Sequence, residues 1–395
     1  MKRTEITKRL CGLGGAKWEL YLKAKKLVNQ GRDIIEMTIG EPDVPTPDVL
    51  VDVAAEAMRQ GRTTYSSGRG ELGLRKALAE RYSCSSGRDI TVDQILCFPG
   101  TQTSLFAVLM GVTEAGDEVL VGDPMYATYE GVIRATGADM VPVPIRPENG
   151  FRISASDLAA RITSRTTAIL LTTPHNPTGA VLTASDLVEI GKLARAHDLW
   201  IISDEVYEEL IFDGASFHSP LTWHDLADRV IIVSSISKSH AAPGFRSGWC
   251  VAPSSFTEVL LPLSETMLFG NQPFIADMTE TAIREGSPVA EGMRQRFAAH
   301  ANLLYDRLTN ETGLAVLRPQ AGMFAMVNVA STGMDGNTYA WHLLEHGGVA
   351  VMPGTSFGTS IDDWVRVALT VGDDKFAAAC DRITRHANLL RKEYA

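Results

Sequence analysis

The stretch TTAILLTTPHNPTGAVLTASDLVEIGKLARAHDLWIISDEVYEEL (residues 166–210) holds the fold in miniature. An apolar run, TAILLT (167–172), gives way to a turn rich in Pro, Asn and Gly. Leu187, Ile190, Leu193 and Ala194 then recur at 3.6-residue spacing, which predicts a helix over 182–198. A second run, LWIIS (199–203), ends on Asp204 and Glu205. Two near-continuous apolar runs joined by a helix predict parallel strands covered on both faces.

The same alternation extends outward through QILCF (94–98), EVLVG (118–122), RVIIVSS (229–235) and SGWCVA (247–252). It predicts an α/β fold: a large domain over 46–284 with a mostly parallel sheet between helices. From about 285 the pattern changes. A long helical stretch (288–311) leads to strand-like segments at GLAVLRP, MFAMVNV, GVAVMPG and WVRVALT, then to a terminal helix over 373–391. These predict a smaller α+β domain of 285–395, to which residues 1–45, with a helix around 15–30, are assigned.

Composition narrows the function. The 395 residues are 45% apolar and 21% charged, ample core material for a globular chain. A net charge of −10, spread along the chain, argues against non-specific nucleic-acid binding, which requires basic patches. No run approaches the ~18 apolar residues of a membrane span, so no membrane partner is expected. The basic N-terminus MKRTEITKRL has no apolar stretch behind it and does not read as a secretory signal. Cys11, Cys84, Cys97, Cys250 and Cys380 are scattered, which predicts a reducing, cytoplasmic setting rather than a disulfide framework. Neither zinc-type Cys/His spacing nor HExxH occurs, so no metal is expected.

Open α/β sheets bind ligands beyond the carboxyl ends of their strands. The residues following each apolar run are therefore the candidates. EVLVG leads to Tyr126, TAILLT to Asn176, LWIIS to Asp204 and Tyr207, and RVIIVSS to Lys238. QILCF leads to Pro99-Gly100-Thr101, opening a helix whose free N–H groups and dipole suit a phosphate. Arg246, eight residues beyond Lys238, adds a cation able to grip it bidentately. A phosphate site, a lysine, a carboxylate and an aromatic plate are the parts that hold pyridoxal phosphate. Singly, each residue has a plain structural reading as a surface charge, a cap, a turn former or core. Their joint order after successive strands is what points to the cofactor.

That order, with IGEPD (39–43), YSSGRGELGLRKAL (65–78), PHNPTG (174–179), SDEVYEEL (203–210), SISKSHAAPGFRSGW (235–249) and WVRVALT (364–370), resembles the class I/II aminotransferases, which are fold type I pyridoxal-phosphate enzymes. The likeness is to their aspartate aminotransferase-like branch, and it runs from about Lys17 to the C-terminus. It implies that Lys238 forms the Schiff base, with Asp204 on the pyridine nitrogen and Asn176 and Tyr207 on the phenolic oxygen. Tyr126 would stack on the ring, while Gly100, Thr101, Ser235 and Arg246 hold the phosphate. Tyr65 would reach the phosphate of a neighbouring subunit, which implies a homodimer with shared active sites. Arg366, assisted by the backbone at Gly40 and by Asn176, would grip the substrate α-carboxylate. Pro243 and Ser247 depart from the family pattern without removing any of these groups.

GRGELG (68–73) is formally a GxGxxG, but TTYSS rather than an apolar strand precedes it. A dinucleotide site needs that strand. These glycines instead shape the loop that carries Tyr65. The resemblance implies transamination between an amino acid and a 2-oxo acid. Dicarboxylate-specific relatives read the distal carboxylate with an additional cation, either an arginine from the other subunit or a lysine in the phosphate loop. Here those positions hold LFGNQPF (268–274) and Thr101, with no Lys or Arg between Arg246 and Arg284. The expected donor is therefore basic or neutral. PMYATYE (124–130), VPVPIRPENGFR (141–152), AHDLW (196–200) and SKSHA (237–241) resemble arginine–pyruvate transaminases, so arginine and pyruvate are the leading pair. Aspartate transamination, through a cation such as Lys17 or Arg69, and a C–S β-lyase on the same fold are the alternatives.

Overall fold

A computed structural model of the chain describes residues 4–13, 18–268 and 270–393. Lys17, Phe269 and the first three residues of the basic N-terminus lie outside them. The described residues contain thirteen strands. In chain order these are β1 (Ile35–Glu36), β2 (Ile95–Phe98), β3 (Glu118–Asp123), β4 (Asp139–Pro144), β5 (Thr166–Thr172), β6 (Trp200–Asp204) and β7 (Val230–Ser235). They continue with β8 (Gly248–Val251), β9 (Ala315–Leu317), β10 (Phe324–Asn328), β11 (Val349–Ala350), β12 (Met352–Pro353) and β13 (Trp364–Ala368).

Strands β2 to β8 form one seven-stranded sheet in the order β2-β8-β7-β6-β5-β3-β4. Strands β3 to β7 are parallel, as the continuous apolar runs predict for β3, β5, β6 and β7; β4, a half-buried edge strand, is not among those runs. Strand β8 runs against both its neighbours, β7 and β2. The reason is local: residues 236–247 contain no α-helix to carry the chain back across a face of the sheet. The chain instead turns, and β8 begins at the edge where β7 ends. Helix Ala184–Ala196 falls within the predicted 182–198. Thr183 and Asp186 cap it reciprocally, and Leu187, Ile190 and Ala194 face inward. Helices Ser254–Met267 and Pro273–Glu285, which the strand-by-strand reading passed over, follow β8.

Strands β9, β10, β12 and β13 form an antiparallel sheet in the order β12-β13-β10-β9, and β1 pairs with β11. Helices Ala290–Glu311 and Asp373–Glu393 match the two predicted there. The N-terminal helix is Glu19–Asn29, shorter than expected, and a further short helix spans Glu5–Arg9. Leu20, Ala24 and Leu27 are buried in one cluster with Leu304, Val327 and Phe376. A separate core, including Ile169, Leu171, Ile201 and Ile232, lies against the seven-stranded sheet. Among the described residues no helix is long and apolar enough to cross a membrane.

Candidate active site

Strands β2, β3, β5, β6 and β7 end on one edge, at Phe98, Asp123, Thr172, Asp204 and Ser235. Strand β8 starts there, two residues after Arg246, because it is the reversed strand. A cleft of about 220 Å³ opens at this edge. Ten of the residues singled out by sequence line it: Gly40, Thr101, Tyr126, Asn176, Asp204, Tyr207, Ser235, Lys238, Arg246 and Arg366. Gly100 lies just behind, against Arg246. Tyr65 stands apart and is 89% exposed.

One end of the cleft presents hydrogen-bond donors without side-chain partners. Gly100, at φ 86°, precedes helix Thr101–Val112 and leaves its first N–H groups without a side-chain cap. The Thr101 hydroxyl is buried there without a partner among the described residues. Arg246 donates to the carbonyls of Pro243 (2.8 Å) and Pro99 (3.4 Å). A Cβ on Gly100 would sit 2.2 Å from an Arg246 nitrogen and push the guanidinium aside, and the positive φ there itself favours glycine. Pro243, one of the two departures from the family pattern, thus supplies a carbonyl that orients Arg246. The other, Ser247, is buried and accepts a hydrogen bond from Thr279 at 2.7 Å.

At the middle of the cleft Lys238 Nζ donates to the Gly40 carbonyl at 2.8 Å. Burial pushes the lysine down to about 8; the Glu41 charge resists, while Arg366 and Arg246 add to the depression. Burial raises the Asp204 carboxyl to about 6, against the pull of the Tyr129 hydroxyl, the Val206 N–H and the Lys238 charge. Asn176 Nδ2 donates to the Tyr207 hydroxyl at 3.4 Å. Ser235 accepts the Ser237 N–H at 3.3 Å.

Arg366 closes the far wall from β13 and is 4% exposed. It donates to Asn176 Oδ1 at 3.0 Å and to the Thr38 carbonyl at 2.5 Å. The Phe324 and Phe357 rings lie 3.9 and 4.3 Å from the guanidinium carbon. Its Nε has no partner among the described residues, and burial lowers it to about 9. The guanidinium is thus desolvated and oriented, with donor capacity to spare. A Cβ on Gly40 would lie 2.1 Å from the Phe324 ring, so the close approach of the Gly40 backbone requires glycine.

Several residues that build the site escaped the reading of strand ends. Tyr129 donates to Asp204 Oδ2 at 2.8 Å and contacts Thr172 Oγ1 at 2.7 Å. It lies three residues after Tyr126 in PMYATYE, which was the available signal. Phe324, Phe357, Trp18 and Gln102 also line the cleft. Asp123 accepts hydrogen bonds from Thr359, and the Ser360 hydroxyl reaches its carbonyl at 2.9 Å. Met125 N–H bonds the Phe357 carbonyl at 2.7 Å, so the turn carrying Phe357 is tied to the end of β3. Arg69 donates to the Asp93 carbonyl and does not line the cleft. GRGELG has no preceding strand and runs into helix Leu72–Ser86.

A lysine, a buried aspartate, an uncapped helix start and an oriented guanidinium thus share one strand edge of a mostly parallel sheet. The chain belongs to the class I and II aminotransferases, whose family model matches residues 32–383. It is 41% identical over 383 residues to the arginine–pyruvate transaminase of Pseudomonas aeruginosa, covering 97% of each chain. It is 33% identical to aromatic-amino-acid aminotransferase 2 of Thermococcus litoralis over 89% of this chain and 91% of that one. The fold matches Thermus thermophilus aspartate aminotransferase with maleate at a TM-score of 0.91 and 29% identity, over 98% of this chain and 100% of that one.

Proposed function

We propose that the chain is a pyridoxal-phosphate-dependent transaminase that takes the amino group of a neutral or basic L-amino acid, arginine foremost, and gives it to a 2-oxo acid such as pyruvate. The cofactor fits the residues present. The uncapped helix start, the orphaned Thr101 hydroxyl, Ser235 and Arg246 would hold its phosphate. Asp204 would meet the pyridine nitrogen, Asn176 and Tyr207 the phenolic oxygen, Tyr126 the ring face, and Lys238 the aldehyde carbon. When bound, the group supplies a carbonyl that captures amines and an electron-poor ring that takes up the Cα electron pair.

The chain's own residues do the rest. Arg366 and Asn176 orient the substrate α-carboxylate, which fixes the Cα–H relative to Lys238. Lys238, held near 8 by burial, is close to neutral pH and suited to lift and return the Cα proton. The Phe324 and Phe357 rings keep water off the Arg366 guanidinium.

The substrate class rests on one observation. Among the described residues the cleft is lined by three cations, Lys238, Arg246 and Arg366, and each has a role already. None is left for a distal carboxylate, whose burial without a partner costs several kcal/mol. The likeness to an arginine–pyruvate transaminase supports the same reading. The reading includes two domains, 46–284 and 1–45 with 285–395. It includes a cytoplasmic homodimer in which the exposed Tyr65 reaches the partner's phosphate site. The test is kcat/KM for arginine, alanine, glutamate and aspartate with pyruvate as acceptor. Arginine or alanine should exceed aspartate by at least about a hundredfold. A preference for aspartate, or 2-oxo acid formed with ammonia and no acceptor, would refute it.

A further inference from the structure

The hydroxyl of Tyr129 sits between two groups on neighbouring strands: Asp204 Oδ2 at 2.8 Å, at the end of β6, and Thr172 Oγ1 at 2.7 Å, at the end of β5. All three line the cleft, and Tyr129 is 1% exposed. A tyrosine hydroxyl has one hydrogen to give. With Asp204 ionised, that hydrogen belongs to the carboxylate, so Thr172 must donate to the tyrosine oxygen. The hydrogen bonds then run in one direction, from Thr172 through Tyr129 to Asp204.

From this geometry we infer that Tyr129 is a positioning residue, which keeps the Asp204 carboxylate ionised and aimed into the cleft. The inference rests on the reading of Asp204 as the partner of the cofactor's ring nitrogen. Asp204 has few other supports. Its Oδ1 accepts the Val206 N–H at a long 3.3 Å, and Lys238 is the cation acting on it. The remaining titratable groups near it are Tyr126, Tyr207 and Glu205, which offer no positive charge. Burial opposes the ionised form, so losing a short donor shifts the balance toward the protonated acid. Tyr129 is held for this task by more than the hydrogen bonds. Its ring packs edge-on against Tyr126 at 5.5 Å, at the start of helix Tyr129–Thr136.

The test is spectroscopic titration of cofactor-free protein with pyridoxal phosphate from pH 5 to pH 9, for wild type, Tyr129→Phe, Thr172→Val and Asp204→Asn. Wild-type affinity should fall on the acid side as Asp204 takes up a proton. In Tyr129→Phe that midpoint should move up by about one pH unit. Binding would then be about fivefold weaker at pH 6 and within about twofold of wild type at pH 8.5. Thr172→Val should leave the midpoint close to wild type, because Tyr129 still donates to Asp204. An unmoved midpoint in Tyr129→Phe, or a loss of equal size at every pH, would overturn the positioning role. Asp204→Asn separates the two readings, since it should remove the Asp204 contribution and leave only the shallower acid-side fall set by the cofactor phosphate and Lys238. An acid-side fall in Asp204→Asn of the same size and midpoint as in wild type would refute the assignment of Asp204 itself, whatever Tyr129 does.

Discussion

Replacing Asp204 by asparagine should make the cofactor-free protein more stable while disabling it. Burial raises the carboxyl from its ordinary 3.8 to about 6. The native state therefore holds this proton more tightly than the unfolded chain does, and wild type loses stability as pH rises between those two values. At about 1.4 kcal/mol per pH unit, the cost of ionising Asp204 in place is about 3 kcal/mol above pH 7. It is about half that at pH 5 and smaller still by pH 4. Asparagine keeps the shape but carries no charge to desolvate: its Oδ1 can accept from Val206 while its Nδ2 donates to the Tyr129 oxygen, which then donates to Thr172. Urea denaturation of both cofactor-free proteins at pH 5 and pH 8 measures the gap directly. It should favour Asp204→Asn at both, and more at pH 8 by about 1 kcal/mol. Equal stability at pH 8, or a gap that does not narrow toward acid, would refute the argument. A stabilising change that abolishes turnover is the expected signature of a group strained for function.

Lys238→Ala should lose turnover by orders of magnitude, and mixing it with a Tyr65→Ala variant should restore part of the activity through hybrid dimers with one intact site. Mixtures no more active than their components, or a fully active monomer in sedimentation, would contradict the shared-site reading. Gly40→Ala forces a Cβ to within 2.1 Å of the Phe324 ring on which Arg366 rests. It should cost about 1–3 kcal/mol of stability and raise KM for every amino donor more than it lowers kcat. Unchanged melting and KM would show that the ring yields freely.

The seven-stranded sheet was legible because a doubly covered strand needs side chains that are apolar on both faces, as in β5 and β7. The polar residues that interrupt such runs are conspicuous, so Asp204, Asn176 and Lys238 could be read directly. What stayed hidden was of two kinds. Tyr129, Phe324 and Phe357 are residue types that ordinarily fill cores, and nothing in their local spacing separates a ring beside a guanidinium from a ring beside leucine. The bond from Asp123 to Thr359 joins residues 236 positions apart, and no local pattern announces such a pairing. The reversal of β8 was missed because SGWCVA has the composition of a buried strand in either direction. Its short approach from β7, free of any α-helix, held the clue.

Lys238 and Asp204 hang from the seven-stranded sheet, whereas Arg366 stands on β13 of the four-stranded one. On the proposed reading, the atom that would break the substrate bond and the atoms that would hold the substrate are therefore fixed to two separate plates. Asn176, bonded to Arg366, and the tie from Asp123 to Thr359 and Ser360 span the seam between them. A tilt of one plate by a fraction of an ångström would re-aim the Cα–H at Lys238 without altering the chemistry of either group. Alignment of this kind governs rate steeply. Substitutions along the seam, distant from the reacting bond, would then act as an adjustment screw on turnover without touching the lysine.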